Sequence, residues 1–129
     1  MRLPSALVVL SSVGFAVTGL AYLLVPGLAL AVVGVESATT TDFLLRTEGV
    51  ALVCAALFIW AARDGSTRQV HLVLVGLAVY YILGSLVDLA AFAQGIVGVA
   101  SVPSAAVRIA LGGLCLIAAA RLSRSSAIS

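Results

Sequence analysis

Apolar positions fill four blocks of this chain, residues 3–25, 43–62, 70–93 and 102–122, and polar positions collect in the short stretches between them. Pro26-Gly27 closes the first block, Arg63-Asp64-Gly65 the second and Gln94-Gly95 the third. Pro103 stands at the start of the fourth, where a helix tolerates a residue without an amide proton. Each block holds about 20 residues or slightly more, enough for a helix rising 1.5 Å per residue to cross a hydrocarbon core about 30 Å thick. The blocks are rich in alanine and leucine and lack strict alternation, which argues against strands. The pattern predicts an all-α fold. Residues 1–129 form a single transmembrane domain, a polytopic four-helix bundle running up-down-up-down through short connections.

The longest connection, residues 26–42, contains "GVESATTT". Ser37, Thr39, Thr40 and Thr41 are candidate caps for the second helix, with Asp42 able to serve as well. The polar tail "RLSRSSAIS" reads as frayed. Arg2, the apolar stretch after it and Ala29-Leu30-Ala31 also fit the outline of a cleavable signal. That stretch exceeds the usual h-region of about 7–15 residues, so the first block is expected to be a retained helix.

Composition reinforces the membrane assignment. Of the 129 residues, 63% are hydrophobic and 9% charged, with a mean hydropathy of +1.26. A water-soluble domain could not build a polar surface from this inventory. The lipid bilayer is therefore the expected partner. The net charge of +2, with no lysine and no basic run, gives no basis for nucleic-acid binding. Cys54 and Cys115 stand alone in apolar blocks, far from a CxxC pair, and read as small packing residues. His71 is the only histidine, so neither a metal site nor a haem with paired axial histidines is expected. No cofactor is called for.

The charges fix an orientation. With four crossings, Arg2, Arg63, Arg68, Arg121 and Arg124 fall on one side, and the other side's loops carry Glu36 and Asp42. The positive-inside rule places both termini in the cytoplasm and Trp60 at the cytoplasmic interface. Four further charges lie inside the blocks. Arg46, Glu48, Asp88 and Arg108 come from three different helices, yet all fall roughly 6–10 Å below the outer helix ends. An Asp88–Arg108 pair is the simplest expectation, with Glu48–Arg108 or Arg46–Asp88 as further bridges.

Helical spacing gives the faces. Tyr81, Ser85 and Asp88 share one face of the third helix, and Ser11, Phe15, Thr18 and Tyr22 line the first. Ser104, Arg108, Gly112 and Cys115 lie along the fourth, and Glu48, Leu52 and Ala55 along the second. Arg46 points about 160° away from Glu48, so the two cannot share a face and Glu48 is the better candidate for an inner cluster. Gly76, Gly84 and Gly112-Gly113 read as helix-packing positions.

Ionisable residues inside a bilayer survive by pairing or by lining a wet cavity. If this layer is a pocket, Glu48 and Asp88 are the candidate catalytic acids or bases. Arg46, Arg108, Tyr22, Tyr81, Ser85 and Thr18 are the candidate binding groups. Such a site suits binding of a small lipophilic molecule, or its acid–base isomerisation, cyclisation or epoxide opening. If it is not a pocket, the same residues are structural ion pairs of an accessory or assembly subunit. An oligomeric transporter or channel is a third reading, with a second copy or another membrane protein as partner. Small multidrug transporters of similar length are set aside, because their glutamate lies in the first helix and this first helix has no acid.

"LLVPGLAL" after the first block and "LLRTEGVAL" opening the second resemble the corresponding turns of small bacterial four-helix membrane proteins of the DoxX-like group. The resemblance implies the helix count and carries little about activity. The alanine, valine and arginine bias without lysine suits a bacterium of high GC content.

Overall fold

The computed structural model describes residues 2–128, and among them the fold is all-helical with no strand. Helix α1 spans Leu3–Leu24, α2 Pro26–Val32, α3 Thr39–Ala61, α4 Thr67–Ala93 and α5 Ser101–Ile128, with a 3-10 turn at Ala62–Asp64. Helices α1, α3, α4 and α5 are each long and apolar enough to cross a membrane.

The first departure from the sequence pattern is α2, a short helix inside what reads as a loop. Pro26 sits at its first turn, where the fixed φ of proline favours helix. Gly34 ends it with φ +75. Val35 donates to Leu30 O and Gly34 to Ala31 O, the paired bonds of a Schellman cap. Gly95 ends α4 in the same way, with φ +73 and with Ile96 donating to Ala91 O.

Helix α3 begins at Thr39, a turn earlier than expected, because the threonines extend the helix outward. The N-cap is Ala38, whose amide donates to Thr41 Oγ1 at 2.9 Å, while Ser37 Oγ donates to Asp42 Oδ1. Helix α4 also starts earlier, at Thr67, behind a reciprocal cap. Ser66 Oγ accepts from Gln69 N, and Gln69 Oε1 accepts from Ser66 N. The expected frayed tail is helical through Ile128. No glycine or proline follows Gly113, so nothing in that stretch breaks the backbone ladder.

Helix α1 packs chiefly on α3, and α4 chiefly on α5; the two pairs meet mainly along α1. In the first pair, Ser12 Oγ donates to Ala56 O at 2.8 Å and Gly19 lies against Gly49. In the second, His71 Nδ1 is 3.1 Å from Ala119 O and Ser85 Oγ is 3.1 Å from Ala105 O. In both pairs partner numbers fall as residue numbers rise, so each pair is antiparallel. The pairs are joined by Phe15 of α1, whose ring lies 4.7 Å from Tyr80 and 6.2 Å from Tyr81, and by Tyr81 Oη donating to Ser11 Oγ at 2.9 Å.

The glycines are used differently from the sequence expectation. A Cβ on Gly49 would sit 2.7 Å from Gly19 O, and one on Gly19 would sit 2.8 Å from Gly49 O. These two positions, from different blocks, set the closest approach of α1 to α3. Gly112 behaves as expected against Ile82 and Ala78, whereas Gly76 and Gly113 face open space. Cys115 is buried and Cys54 is exposed, so only one of the two cysteines is a packing residue.

The outside of the bundle is apolar. Leu10, Val17, Phe58, Val87 and Val107 are all more than half exposed. Within the four spanning windows only 22–33% of residues are buried. In water this surface would drive aggregation; against lipid tails it is solvated. Polar bonds inside such a bundle are modest in worth. Ser85 has no exposed surface, and its hydroxyl reaches Tyr81 O at 2.7 Å as well as Ala105 O. Ser85→Ala is expected to cost about 0.6–1.7 kcal/mol in a denaturant titration in micelles. An unchanged midpoint would remove this bond from the account of the α4–α5 pair.

Candidate functional site

Because the two pairs touch mainly along α1, they leave a cleft between them at one end of the bundle. It has a volume of about 660 Å³. The first pair contributes Thr18 and Tyr22 from α1 and Glu48 from α3. The second contributes Tyr80, Gly84 and Asp88 from α4, and Ser101, Ser104 and Arg108 from α5. Val79, Leu83 and Val87 supply apolar wall. Val33 and Val97 close the end, where Gly98 N donates to Val33 O at 2.7 Å and ties the two loops together.

Local sequence explains each placement. Tyr80, Gly84 and Asp88 recur every fourth residue, so they form one stripe of α4. Arg108 lies along that stripe at Gly84, where a Cβ would meet its Nη1 in ordinary contact at 3.5 Å. Arg108 Nη1 then meets Asp88 Oδ2 at 2.5 Å, and its guanidinium lies 5.6 Å from the Tyr80 ring centroid. The pair is half-buried, with 27% of the arginine side chain and 35% of the aspartate exposed. A smaller recess of about 200 Å³ shares Thr18, Tyr80 and Arg108 with the cleft and runs toward Phe15 and Leu52.

Of the eight candidate residues, the fold brings Glu48, Asp88, Arg108, Tyr22 and Thr18 to the cleft. Arg46 is not there. It lines a separate shallow groove with Ser37, Asp42 and Phe43, as the two-residue offset from Glu48 requires. Tyr81 and Ser85 are buried in the core, with their hydroxyls committed to Ser11 and to the Tyr81 and Ala105 carbonyls. The bridges Glu48–Arg108 and Arg46–Asp88 do not form. Among the described residues the ion pairs are Arg108–Asp88 and Arg63–Asp64. Glu48 is exposed on the cleft wall facing that of the Asp88–Arg108 pair.

Sequence reasoning missed Tyr80. The signal was present, since Tyr80, Gly84 and Asp88 follow i, i+4, i+8 as regularly as Tyr81, Ser85 and Asp88 follow i, i+4, i+7. The hydroxyls of Tyr81 and Ser85 drew attention to the wrong one of two adjacent stripes.

The other polar features are structural. His71 bonds across to α5, and Arg63 lies over the Trp60 ring at 4.2 Å. Among the described residues no three histidine, cysteine or acidic side chains come close enough to hold a metal ion. The arrangement in the cleft can therefore do three things: accept a hydrogen bond or a positive charge at Glu48, donate from Arg108 or the tyrosines, and seat an apolar body between α4 and α1. Compared with protein-family models, with curated proteins and with solved structures, the chain matches none of them.

Proposed function

We propose that this chain is a multi-pass protein of a bacterial inner membrane, threaded up-down-up-down with both termini in the cytoplasm, and that the cleft binds a small lipophilic molecule. The observation carrying the reading is the cleft, whose volume of about 660 Å³ falls in the range of about 300–1,000 Å³ typical of small-molecule sites. Its walls combine apolar side chains with a few convergent polar groups, the usual make-up of such sites. The five arginines on one side support the threading, which puts the cleft near the extracytoplasmic surface. Kinship with DoxX-like proteins belongs to the same proposal and adds no activity to it.

Asp88 is engaged by Arg108, so Glu48 is the carboxylate available to exchange a proton with a bound molecule. The Tyr80 hydroxyl, beside the Asp88-bound guanidinium of Arg108, can donate a hydrogen bond to a developing anion. Acid–base conversion of the ligand, by isomerisation, cyclisation or epoxide opening, would use these groups in those roles. A second reading, an accessory subunit with structural charges, draws support from the Asp88–Arg108 pair. It leaves Glu48 on the wall of a sizeable cleft without a purpose.

Gly84→Leu tests the reading, because an isobutyl group at that position projects into the cleft beside Arg108. Protein purified in mild detergent is extracted with organic solvent, and the extract is analysed by mass spectrometry. The wild type is expected to carry a lipophilic species that the variant, recovered at normal folded yield, lacks. Identical extracts from the two proteins would sink the ligand site and favour the accessory subunit.

A further inference from the structure

The charges in the cleft do not cancel. Two carboxylates, Glu48 and Asp88, line it together with one guanidinium, Arg108, a formal balance of one negative charge. The pairing is also uneven. Asp88 and Arg108 neutralise each other on the α4–α5 wall. Glu48 stands on the other wall with no cation within 4.0 Å among the described residues. Arg46, the nearest arginine in sequence, is directed into a different groove.

An exposed carboxylate with no cation partner, on the wall of a cleft with apolar sides, attracts a bound positive charge more strongly than it would in bulk water. The remaining groups suit the same occupant. Tyr22 lines the cleft on the α1 wall, against the turn of α3 that carries Glu48, and an aromatic ring attracts a cation, most strongly when water is excluded. Val79, Leu83 and Val87 offer an apolar surface along α4 for the rest of the molecule.

We infer that the occupant of the cleft is an amphipathic organic cation, with its charge against Glu48 beside Tyr22 and its apolar body along Val79, Leu83 and Val87. This rests on the reading of the cleft as a ligand site and adds the charge of the ligand. Arg108 does not invert the selectivity, because its charge is consumed by Asp88.

Tetraphenylphosphonium and tetraphenylborate make the test, since they share shape and apolar surface and differ in the sign of the charge. Binding of each to the full chain in detergent is measured by calorimetry against protein-free micelles, for the wild type, Glu48→Gln and Gly84→Leu. The wild type is expected to bind the phosphonium roughly 10- to 100-fold more tightly than the borate. Glu48→Gln is expected to lose most of that preference while folding normally, since Glu48 is exposed and makes no ion pair. Gly84→Leu should weaken both ions.

Equal affinities in the wild type, or a preference for the borate, would overturn the inference and leave the ligand site standing. Phosphonium binding that survives unchanged in Glu48→Gln would overturn it too. If neither ion binds above the micelle control, the inference fails; if the solvent extracts also match, the ligand site fails with it. The wild-type comparison needs no variant, so a folding defect in Glu48→Gln cannot remove the test.

Discussion

Gly49→Val is expected to separate α1 from α3 and to remove most of the folded protein from the membrane fraction. A first carbon at this position lies 2.7 Å from Gly19 O, 3.0 Å from Tyr22 Cβ and 3.1 Å from Leu23 Cγ. The nearest of these atoms is main chain, so no side-chain rotation relieves the clash and the helices must move apart. Overpacking of this kind costs about 1–3 kcal/mol, and a clash with main chain belongs at the upper end of that range. The loss falls on the pair that holds Tyr22 and Glu48 in the cleft, so ligand binding should go with it. Gly76→Val is the matched control. It makes the same substitution in a spanning helix at a position with nothing within 4 Å. There the change is expected to stay within about 0.5 kcal/mol, since valine is at least as good a helix former as glycine. Unfolding titrations in micelles, with the yield of monodisperse protein, check both. Equal behaviour of the two variants would mean that the Gly19–Gly49 approach is not what sets the α1–α3 packing.

The second large effect concerns the ion pair. Arg108→Leu leaves Asp88 without its partner in an apolar setting, and is expected to cost about 1–3 kcal/mol. The lower part of that range reflects the exposure of the pair, 27% and 35% of the two side chains. Adding Asp88→Asn to Arg108→Leu should recover much of the loss, because the penalty comes from the stranded carboxylate rather than from the missing bond. A double-mutant cycle measured by the same titration gives the coupling. No recovery in the double variant would mean that Arg108 stabilises the fold through Tyr80 and Gly84 instead, the two other α4 groups beside its guanidinium.

The two carboxylates of the cleft play different parts. Asp88 is held by a partner eight residues inside α5 and responds to that partner's removal. Glu48 belongs to the other helix pair, and its expected loss is in binding rather than in folding. Stability changes that track Asp88 and binding changes that track Glu48 would separate scaffold from site within one cleft only 14 residues in extent of lining.

Much of the architecture was legible in the chain itself. Runs of about 20 apolar residues leave a backbone no solvent to bond with inside a bilayer, so the helix is the only economical answer, and four runs give four long helices. Faces followed from the 3.6-residue period, which correctly set Arg46 apart from Glu48. Helix ends were less legible. Pro26 starts a helix as readily as it ends one, so α2 was hidden, and α5 runs on to Ile128 because its polar tail contains no breaker.

What the sequence could not decide is which neighbour each face meets. Every long helix here is apolar on nearly all sides, because lipid and protein interior accept the same residues, so hydrophobicity does not mark the buried face. Close approach settles it instead. Gly19 against Gly49 and Gly112 against Ile82 draw the helices into two pairs, and only that pairing leaves a cleft. It turns the Tyr80 stripe rather than the Tyr81 stripe toward the opening, joins Asp88 to Arg108, and leaves Glu48 facing them. The chain by itself determined four membrane-length helices; the tertiary structure chose among their faces, because contact geometry between small residues, and not polarity, selects partners in an apolar medium.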